Sequence, residues 1–387
     1  MGSPSGERLR ILLSGMVAGD PFQGGATWAV LQYVAGLTGL GHEVVLVEPL
    51  RGGGRERLTA GSDAVTYFRS LPLLEGRAAL LAEDTKETVG LSFDAIQRFA
   101  SAADLLLNVS GMLRDERLLE SIPVRAFLDL DPGFTQAWHA TGEDMGLDLH
   151  THWVTVGQAI GRDGCPIPTC GRGWIGTLPP VALGHWPAVG GAPERGAFTT
   201  VGHWRSYGSI EHAGIHYGQR AHSLRELIEL PRLSDARLQL ALGIHPDERR
   251  DLDALRRNGW GLLDPIEVAG NPDSYAEFIR ASKAELAIAK SGYVASRSGW
   301  FSDRSACYLA SGRPVVAQET GFSEFLPAGE GLLAFTDTAG AAEAVAEVRR
   351  DWQRHSRAAR RLAEEHLDAR KVLSRLVEAL GGAAART

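Results

Sequence analysis

Residues 289–327 are the part of the sequence best suited to bind an anion. They begin at the end of a strand-like apolar stretch, and Gly299 allows a tight turn before a helix predicted from about 303 to 310. The first turn of a capped helix has free backbone N–H groups, and an arginine there adds a planar donor fork for phosphate oxygens. The cap and first turn comprise Ser302, Asp303, Arg304 and Ser305. This pattern predicts a phosphate site, and its alternative is a plain capped helix with Arg304 in solvent or paired with Asp303.

The elements that would position this turn form two series of strands and helices. The first opens with an apolar strand at 9–13, a helix with apolar residues at helical spacing, and a second strand in HEVVLVEP, with Gly24 and Gly25 just before the helix. Further buried-type strands are predicted at 104–109, 124–130 and 153–156. The first half therefore indicates a parallel sheet covered by helices.

The second series begins after a Gly- and Pro-rich stretch at 161–196, which predicts a linker. The predicted strands are 198–201, 238–242, 261–263, 285–289, 314–317 and 331–335, and the predicted helices are 215–229, 272–282 and 303–310. Residues 341–380 are helical throughout. The fold class is α/β, with two Rossmann-like domains that face each other across a ligand-binding cleft.

Composition excludes several classes of protein. A formal charge of −7 and an ordinary 44% hydrophobic fraction do not fit a nucleic-acid binder, and no apolar run is long enough to cross a membrane. Residues 1–15 lack the pattern of a secretory signal. Cys165 and Cys170 have no second pair that would complete a zinc site. We expect a soluble cytoplasmic protein with reduced thiols.

The sequence resembles the GT-B type of nucleotide-sugar-dependent glycosyltransferases. The resemblance rests on a late strand, the helix from about 303, the S-G-R-P stretch at 311–314, the strand VVAQ, and T-G-F-S-E-F at 320–325. Two features of that family are missing. Gly299 and Cys307 occupy the positions of the paired glutamates of the retaining branch, and the inverting natural-product branch has a ribose-binding glutamate at position 307 and an H-x-G entry that this chain lacks.

The resemblance implies the domain organisation and the ligands. Residues 1–190 would bind the acceptor, 191–350 would bind a nucleotide diphosphate sugar such as a UDP-sugar, and a helix in 351–387 would cross back to the first domain. No cofactor and no metal are expected, because the helix dipole and basic side chains would neutralise the leaving diphosphate. The acceptor is expected to be a small molecule or natural product of secondary metabolism, or a glycan.

Several donor-binding residues follow from strand ends and from the resemblance. Arg205 is a second phosphate ligand candidate opposite Arg304, and Trp204 is a candidate to stack on a base or sugar, although tryptophan is more often a core residue. Lys290 ends a strand at the cleft, and His245 would contribute to a base pocket. By resemblance, the sugar hydroxyls would be held by Glu319, Thr320 and Gly321.

The N-terminal domain offers two candidate general bases. Asp20 follows the first strand and Asp131 follows a later one, so that either could take the acceptor proton in an inverting transfer, whereas Asp129 points elsewhere by strand alternation. Gly24 and Gly25 would let the backbone approach the acceptor. Each aspartate has a turn-forming or capping role as its alternative.

Metal binding is a weak hypothesis. His212 and His216 have a spacing that shares one face of a helix, and His150 and His152 are two apart, but no third ligand follows either pair. We predict no metal site.

Two other functions fit the same fold. One is a nucleotide-sugar epimerase, which would change the donor sugar without any acceptor. The other is a non-catalytic protein that binds a sugar nucleotide, and the missing glutamates favour it.

Overall fold

The computed structural model describes residues 8–50, 54–191 and 193–384. The signal-sequence prediction falls partly on residues 1–7, which lie outside this range, as do the last three residues of the predicted C-terminal helix. The strands are β1 (Arg10–Ser14), β2 (Glu43–Leu50), β3 (Ala78–Ala82), β4 (Thr88–Gly90), β5 (Leu105–Val109), β6 (Val124–Asp129), β7 (His152–Thr155), β8 (Trp174–Gly176), β9 (Phe198–His203), β10 (Ile210–His212), β11 (Ile215–Tyr217), β12 (Leu238–Gly243), β13 (Gly261–Leu262), β14 (Ala284–Ala287), β15 (Val315–Gln318) and β16 (Leu332–Phe335).

Helices cover the faces of these sheets and connect the parallel strands. They are α1 (Gly24–Gly39), α2 (Gly54–Arg57), α3 (Asp63–Arg69), α4 (Phe93–Ala100), α5 (Glu116–Leu119), α6 (Phe134–Ala140), α7 (Arg220–Glu226), α8 (Leu230–Leu233), α9 (Arg249–Arg257), α10 (Pro265–Ala269), α11 (Pro272–Ala281), α12 (Ser291–Ser296), α13 (Asp303–Ala310), α14 (Thr338–Arg350), α15 (Trp352–Leu362) and α16 (Ala369–Ala384). None of the helices in the described residues is both long and apolar enough to cross a membrane.

Two doubly wound sheets carry the fold, as the sequence predicts. The N-terminal sheet has the order β4-β3-β2-β1-β5-β6-β7-β8 and is parallel except for β4, and the C-terminal sheet has the parallel order β13-β12-β9-β14-β15-β16. The strand order reverses at β1 in one sheet and at β9 in the other. Loops at the carboxyl ends of strands beside such a reversal form the usual ligand crevice of this architecture.

Two local predictions differ from the structure. The predicted linker contains β8, which pairs with β7 and extends the N-terminal sheet. The predicted helix at 215–229 begins only at Arg220, because β10 and β11 form a hairpin whose two turn residues, Ala213 and Gly214, both have positive φ. His212 and His216 therefore lie on facing strands instead of one helical face, which removes the metal-ligand spacing.

The domains contact each other on both sides of the cleft. On one side, Trp28 of α1 packs edge-on against Trp186, and its indole N–H donates to the Pro272 carbonyl at 2.9 Å. On the other side, Gly157 pairs with Trp300 as an isolated bridge. The two sheets are thus held with their carboxyl ends facing.

The C-terminal segment crosses from one domain to the other. Helix α15 packs on α13 of the C-terminal domain, and α16 packs on α1 of the N-terminal domain. Val181 makes backbone hydrogen bonds to Leu367 and Ala369 at the crossing. At the contact with α1, a Cβ added to Gly36 would lie 2.5 Å from Leu373 Cδ1 and 2.8 Å from Ala369 Cβ.

This contact gives a stability prediction. We expect Gly36→Val to lower the free energy of unfolding by about 1–3 kcal/mol, because the added methyl groups overpack the crossing with α16. Gly39→Val in the same helix is the matched control, since nothing lies within 4 Å of its added Cβ. Urea unfolding of both variants tests the contact, and equal losses of stability would contradict it.

Candidate active-site cleft

A cleft of about 510 Å³ lies between the two domains at the carboxyl ends of both sheets. Its N-terminal wall comes from the loops after β1 and β6, and its C-terminal wall from residues after β9, β12, β13 and β14 and from the start of α13. The predicted site residues that line it are Asp20, Gly24, Gly25, Asp131, Lys290, Ser302, Asp303 and Arg304. Strand-end reasoning therefore located the cleft.

Glu48, which the sequence analysis missed, holds the loop after β1. Its buried carboxylate accepts hydrogen bonds from the backbone N–H groups of Val17, Ala18 and Gly19, at 3.0, 2.8 and 2.6 Å. Burial raises the pKa of Glu48, although these N–H groups act in the opposite direction. The signal was a single glutamate in an otherwise apolar strand, HEVVLVEP. This carboxylate fixes the start of the loop that carries Asp20 and Gln23.

The same loop reaches across the cleft through polar side chains. The Gln23 amide donates to the Asp20 carboxylate, and its carbonyl oxygen lies 2.8 Å from His203 Nε2 of the C-terminal domain. Gly24 and Gly25 stand next to this link. A Cβ on Gly24 would lie 2.2 Å from the Asn271 carbonyl oxygen, so this glycine is required by the contact between the domains.

Asp131 forms the main polar contact between the domains. Its Oδ1 atom accepts hydrogen bonds from Lys290 Nζ at 2.6 Å, from the Tyr207 hydroxyl at 2.6 Å, and from the Tyr293 hydroxyl. Lys290 also lies 4.0 Å from the centre of the Tyr207 ring. All three donors belong to the C-terminal domain.

This environment changes the basicity of Asp131. Burial alone would raise the pKa of Asp131, but the Lys290 charge and the three hydrogen bonds hold it below its usual value. Burial lowers the pKa of Lys290, even though Asp131 acts in the opposite direction. Asp131 is therefore ionised at neutral pH and is a weak proton acceptor.

Asp129 has a structural role, in agreement with strand alternation. Its fully buried carboxylate accepts from Thr135 at 2.7 Å, Gln136 at 2.8 Å and Thr155 at 2.7 Å. It also accepts from the backbone N–H of Asp131 at 3.0 Å. Asp129 thus fixes the turn that presents Asp131 to the cleft.

Helix α13 begins at the cleft as the sequence predicts. Ser302 Oγ caps it by accepting from the Arg304 N–H at 3.2 Å. The Arg304 side chain pairs with the buried Glu285, not with Asp303, and donates to the Val201 carbonyl at 3.1 Å. Its Nη2 atom has no hydrogen-bond partner among the described residues. Although burial opposes it, Glu285 raises the pKa of Arg304, so the guanidinium stays charged.

Arg220 is a second buried cation in the cleft, and the sequence analysis missed it. It is 8% exposed, and it donates to the carbonyls of Ile288 at 2.9 Å and His203 at 2.6 Å. No carboxylate of the described residues lies within ion-pair distance of it. Burial, followed by the neighbouring Arg304, lowers its pKa to about 9. As one of many arginines in this chain, it carried no signal in the sequence.

Other predicted donor-binding residues lie outside the cleft lining. Trp204 is 1% exposed in the core of the C-terminal domain, which corrects the stacking prediction. Arg205 pairs with Glu248 at 2.6 Å on the surface, and His245 is exposed beside Asp247. Ser305 is buried on α13 without lining the cavity.

Residues 319–321 support the cleft from behind. Glu319 Oε1 accepts from the Gly321 N–H at 2.5 Å, and Thr320 Oγ1 donates to the Trp300 carbonyl at 2.5 Å. Trp300 lines the cleft and stacks on Tyr293, with ring centres 4.4 Å apart. The three residues predicted to hold sugar hydroxyls therefore position an aromatic ring instead.

The histidine pairs form no metal centre. His150 is buried and bonded to the Gly146 carbonyl and the Asn108 amide, and burial lowers its pKa to about 4. The described residues contain no group of three or more His, Cys, Asp or Glu side chains that could hold a metal ion.

Comparison with known proteins supports a glycosyltransferase fold. Residues 241–378 match the sequence profile of the family described as glycosyl transferase-like. No curated protein sequence matches the chain. Similar solved structures include AviGT4, a glycosyltransferase involved in avilamycin A biosynthesis, with 17% identity, a TM-score of 0.59 and coverage of 98% of this chain and 99% of that one.

Two further structures match over nearly their full length. The Anabaena protein HepE, solved with UDP and glucose, has 12% identity, a TM-score of 0.56 and coverage of 97% and 100%. An α-glucosyltransferase solved with UDP-glucose and DNA containing an abasic site has 11% identity, a TM-score of 0.59 and coverage of 96% and 98%. At these identities the similarity shows the fold, and the fold class predicted from the sequence is confirmed.

The contact between Asp131 and Lys290 gives a second stability prediction. Asp131→Asn should lower the free energy of unfolding at pH 7 by roughly 2–3 kcal/mol, somewhat less than for a fully buried pair, because it leaves Lys290 without its counter-charge. The depressed pKa places this stabilisation above about pH 4, and it is lost as the pH falls through the pKa of the folded state. Denaturant unfolding should therefore show a gap between wild type and variant that closes at low pH. A constant gap, or none at pH 7, would contradict the assignment.

Proposed function

This chain has the GT-B fold with a glycosyl transferase-like C-terminal domain, and from this premise we propose that it transfers a sugar from a nucleotide diphosphate donor to a small-molecule acceptor. The donor binds the C-terminal wall of the cleft and the acceptor binds the N-terminal wall.

The observation that carries the proposal is the unpaired Arg220 guanidinium beside the start of α13. A buried cation without a carboxylate partner is costly, and an anionic ligand offsets that cost. The free Nη2 of Arg304 and the N-terminal N–H groups of α13 lie on the same wall. A diphosphate supplies oxygens for all three kinds of donor.

The same groups favour departure of the diphosphate. Negative charge develops on the leaving phosphate as the bond to the sugar breaks, and fixed cations in a water-poor site stabilise it without reorganising. Arg220 and Arg304 are held by backbone carbonyls and Glu285, so that they are fixed before the reaction. Lys290 is a third cation at this wall.

Asp20 is the better candidate for a general base if the transfer inverts configuration. Asp131 is already saturated by three donors and has a lowered pKa. Asp20 lines the cleft on the loop after β1, and its one side-chain partner is the amide of Gln23. It is therefore open to a hydroxyl of the acceptor.

Two exposed apolar side chains support a small acceptor with an apolar surface. Phe22 is 43% exposed on the N-terminal wall and Ile266 is 60% exposed on the C-terminal wall. Phe22 has a φ of 65°, which is unfavourable for a residue with a side chain. A ring held in a strained, exposed position at the cleft mouth is suited to contact a ligand.

The donor site is tested by binding and turnover. We expect one of UDP, dTDP, GDP, ADP and CDP to raise the melting temperature, and the matching sugar nucleotide to yield a glycosylated product in an acceptor screen. Arg220→Gln should weaken binding of that diphosphate by about 10- to 100-fold, since it removes charge-assisted hydrogen bonds. Arg205→Gln, outside the cleft, is the control and should stay within twofold.

Absence of binding by all five nucleotides would overturn the proposal, as would equal effects of the two arginine substitutions. Product analysis separates the alternatives, because an epimerase changes the donor sugar without acceptor.

The apolar cleft mouth gives a prediction for the acceptor. Phe22→Ala should raise the KM of the acceptor found in the screen by about tenfold, because it removes a large contact surface. The affinity for the nucleotide diphosphate should stay within twofold. Steady-state kinetics and titration calorimetry test this, and a loss confined to nucleotide affinity would assign Phe22 to the donor instead.

A further inference from the structure

We infer that Asp303 is a specificity-determining residue that binds the ribose hydroxyls of the donor nucleotide. This inference rests on the proposed function and names the part of the donor that one carboxylate recognises.

Asp303 is a carboxylate that faces the cleft and is not engaged by another side chain. It is the first residue of α13 and lines the cavity. Neither an ion pair nor a side-chain hydrogen bond to its carboxylate occurs among the described residues, and the adjacent Arg304 is committed to Glu285. Asp303 therefore has hydrogen-bond acceptors available for a ligand.

The neighbouring anion site restricts what that ligand group is. A carboxylate repels phosphate oxygens, so Asp303 cannot bind the diphosphate that Arg220 and Arg304 attract. It accepts hydrogen bonds, and two oxygens suit two adjacent hydroxyl groups. In a nucleotide sugar, the groups that flank the diphosphate and carry adjacent hydroxyls are the ribose and the transferred sugar.

The surroundings of Asp303 favour the ribose. Its charge raises the pKa values of Tyr33 on α1 and Tyr275 on α11, so it lies near both rings. Tyr275 lines the cleft together with Pro265 and Ile266. The transferred sugar has to reach the acceptor at Asp20, on the loop after β1. Asp303 instead faces the side of the diphosphate where α11 closes the cleft.

The helix leaves no other carboxylate to do this. Cys307 is one turn further along the same face of α13, is 2% exposed, and accepts a hydrogen bond from the Gln32 amide at 3.4 Å. Its thiol is sealed between the helices, so that Asp303 is the first acidic group of α13 that a ligand reaches.

The test compares ribonucleotides with deoxyribonucleotides. Titration calorimetry of the full chain uses UDP, GDP and ADP, each with its 2′-deoxy analogue. We expect the best ribonucleoside diphosphate to bind wild type about tenfold more tightly than its deoxy analogue, because one hydrogen bond to a charged group is lost. Asp303→Asn should weaken the ribonucleotide by about tenfold, leave the deoxy analogue within twofold, and so remove the preference.

The control is Asp273→Asn, which changes an exposed aspartate in the first turn of α11 and should keep the preference. Equal affinity of wild type for ribo and deoxy forms would overturn the inference without any variant, as would a preference that survives in a folded Asp303→Asn protein. An effect of Asp303→Asn seen only with the sugar nucleotide, and not with the diphosphate, would also overturn it by assigning the carboxylate to the transferred sugar. If wild type binds no nucleoside diphosphate, the proposed function itself fails.

Discussion

The contact between Asp131 and Lys290 holds the cleft together. One partner follows β6 of the N-terminal sheet and the other follows β14 of the C-terminal sheet, so the ion pair joins the carboxyl ends of the two sheets. Two tyrosine hydroxyls complete the coordination of the carboxylate. Because burial penalises each charge alone, the pair favours the arrangement in which both domains face one another. The spacing of every other group in the cleft depends on that arrangement.

The remaining cations in the cleft are not balanced in the same way. Glu285 neutralises Arg304 and Asp131 neutralises Lys290, but Arg220 rests on two backbone carbonyls. One uncompensated charge, set beside the N-terminus of α13, makes this wall suited to an anion. Asp303 places a negative group at its edge. The wall therefore combines one region that attracts phosphate with one that attracts hydroxyls, which is the pattern of charge along a nucleotide sugar.

The fold and the location of the cleft could be predicted from the sequence, because buried parallel strands and glycine punctuation are local signals. The helix at 303–310 and the strand ends at Asp20, Asp131 and Lys290 lie where the sequence places them. The predicted helix at 215–229 was wrong at its start, since the Ala213-Gly214 turn converts its first residues into a hairpin. The sequence indicates strand ends but not side-chain direction, which explains why Trp204 and Arg205 were expected in the cleft.

Arg220 and Glu48 could not be assigned from the sequence for a different reason. Their roles arise from partners distant along the chain: the carbonyls of Ile288 and His203 for Arg220, and the N–H groups of residues 17–19 for Glu48. The absence of a counter-charge is likewise visible only in three dimensions. Such residues are found by examining which buried charges lack a partner.

The most direct test of the central claim is a crystal structure of the protein with the nucleoside diphosphate that stabilises it most. The account predicts phosphate oxygens within hydrogen-bond distance of the Arg220 guanidinium and of the backbone N–H groups at the start of α13. A diphosphate bound elsewhere, with Arg220 still contacting only backbone carbonyls, would contradict it.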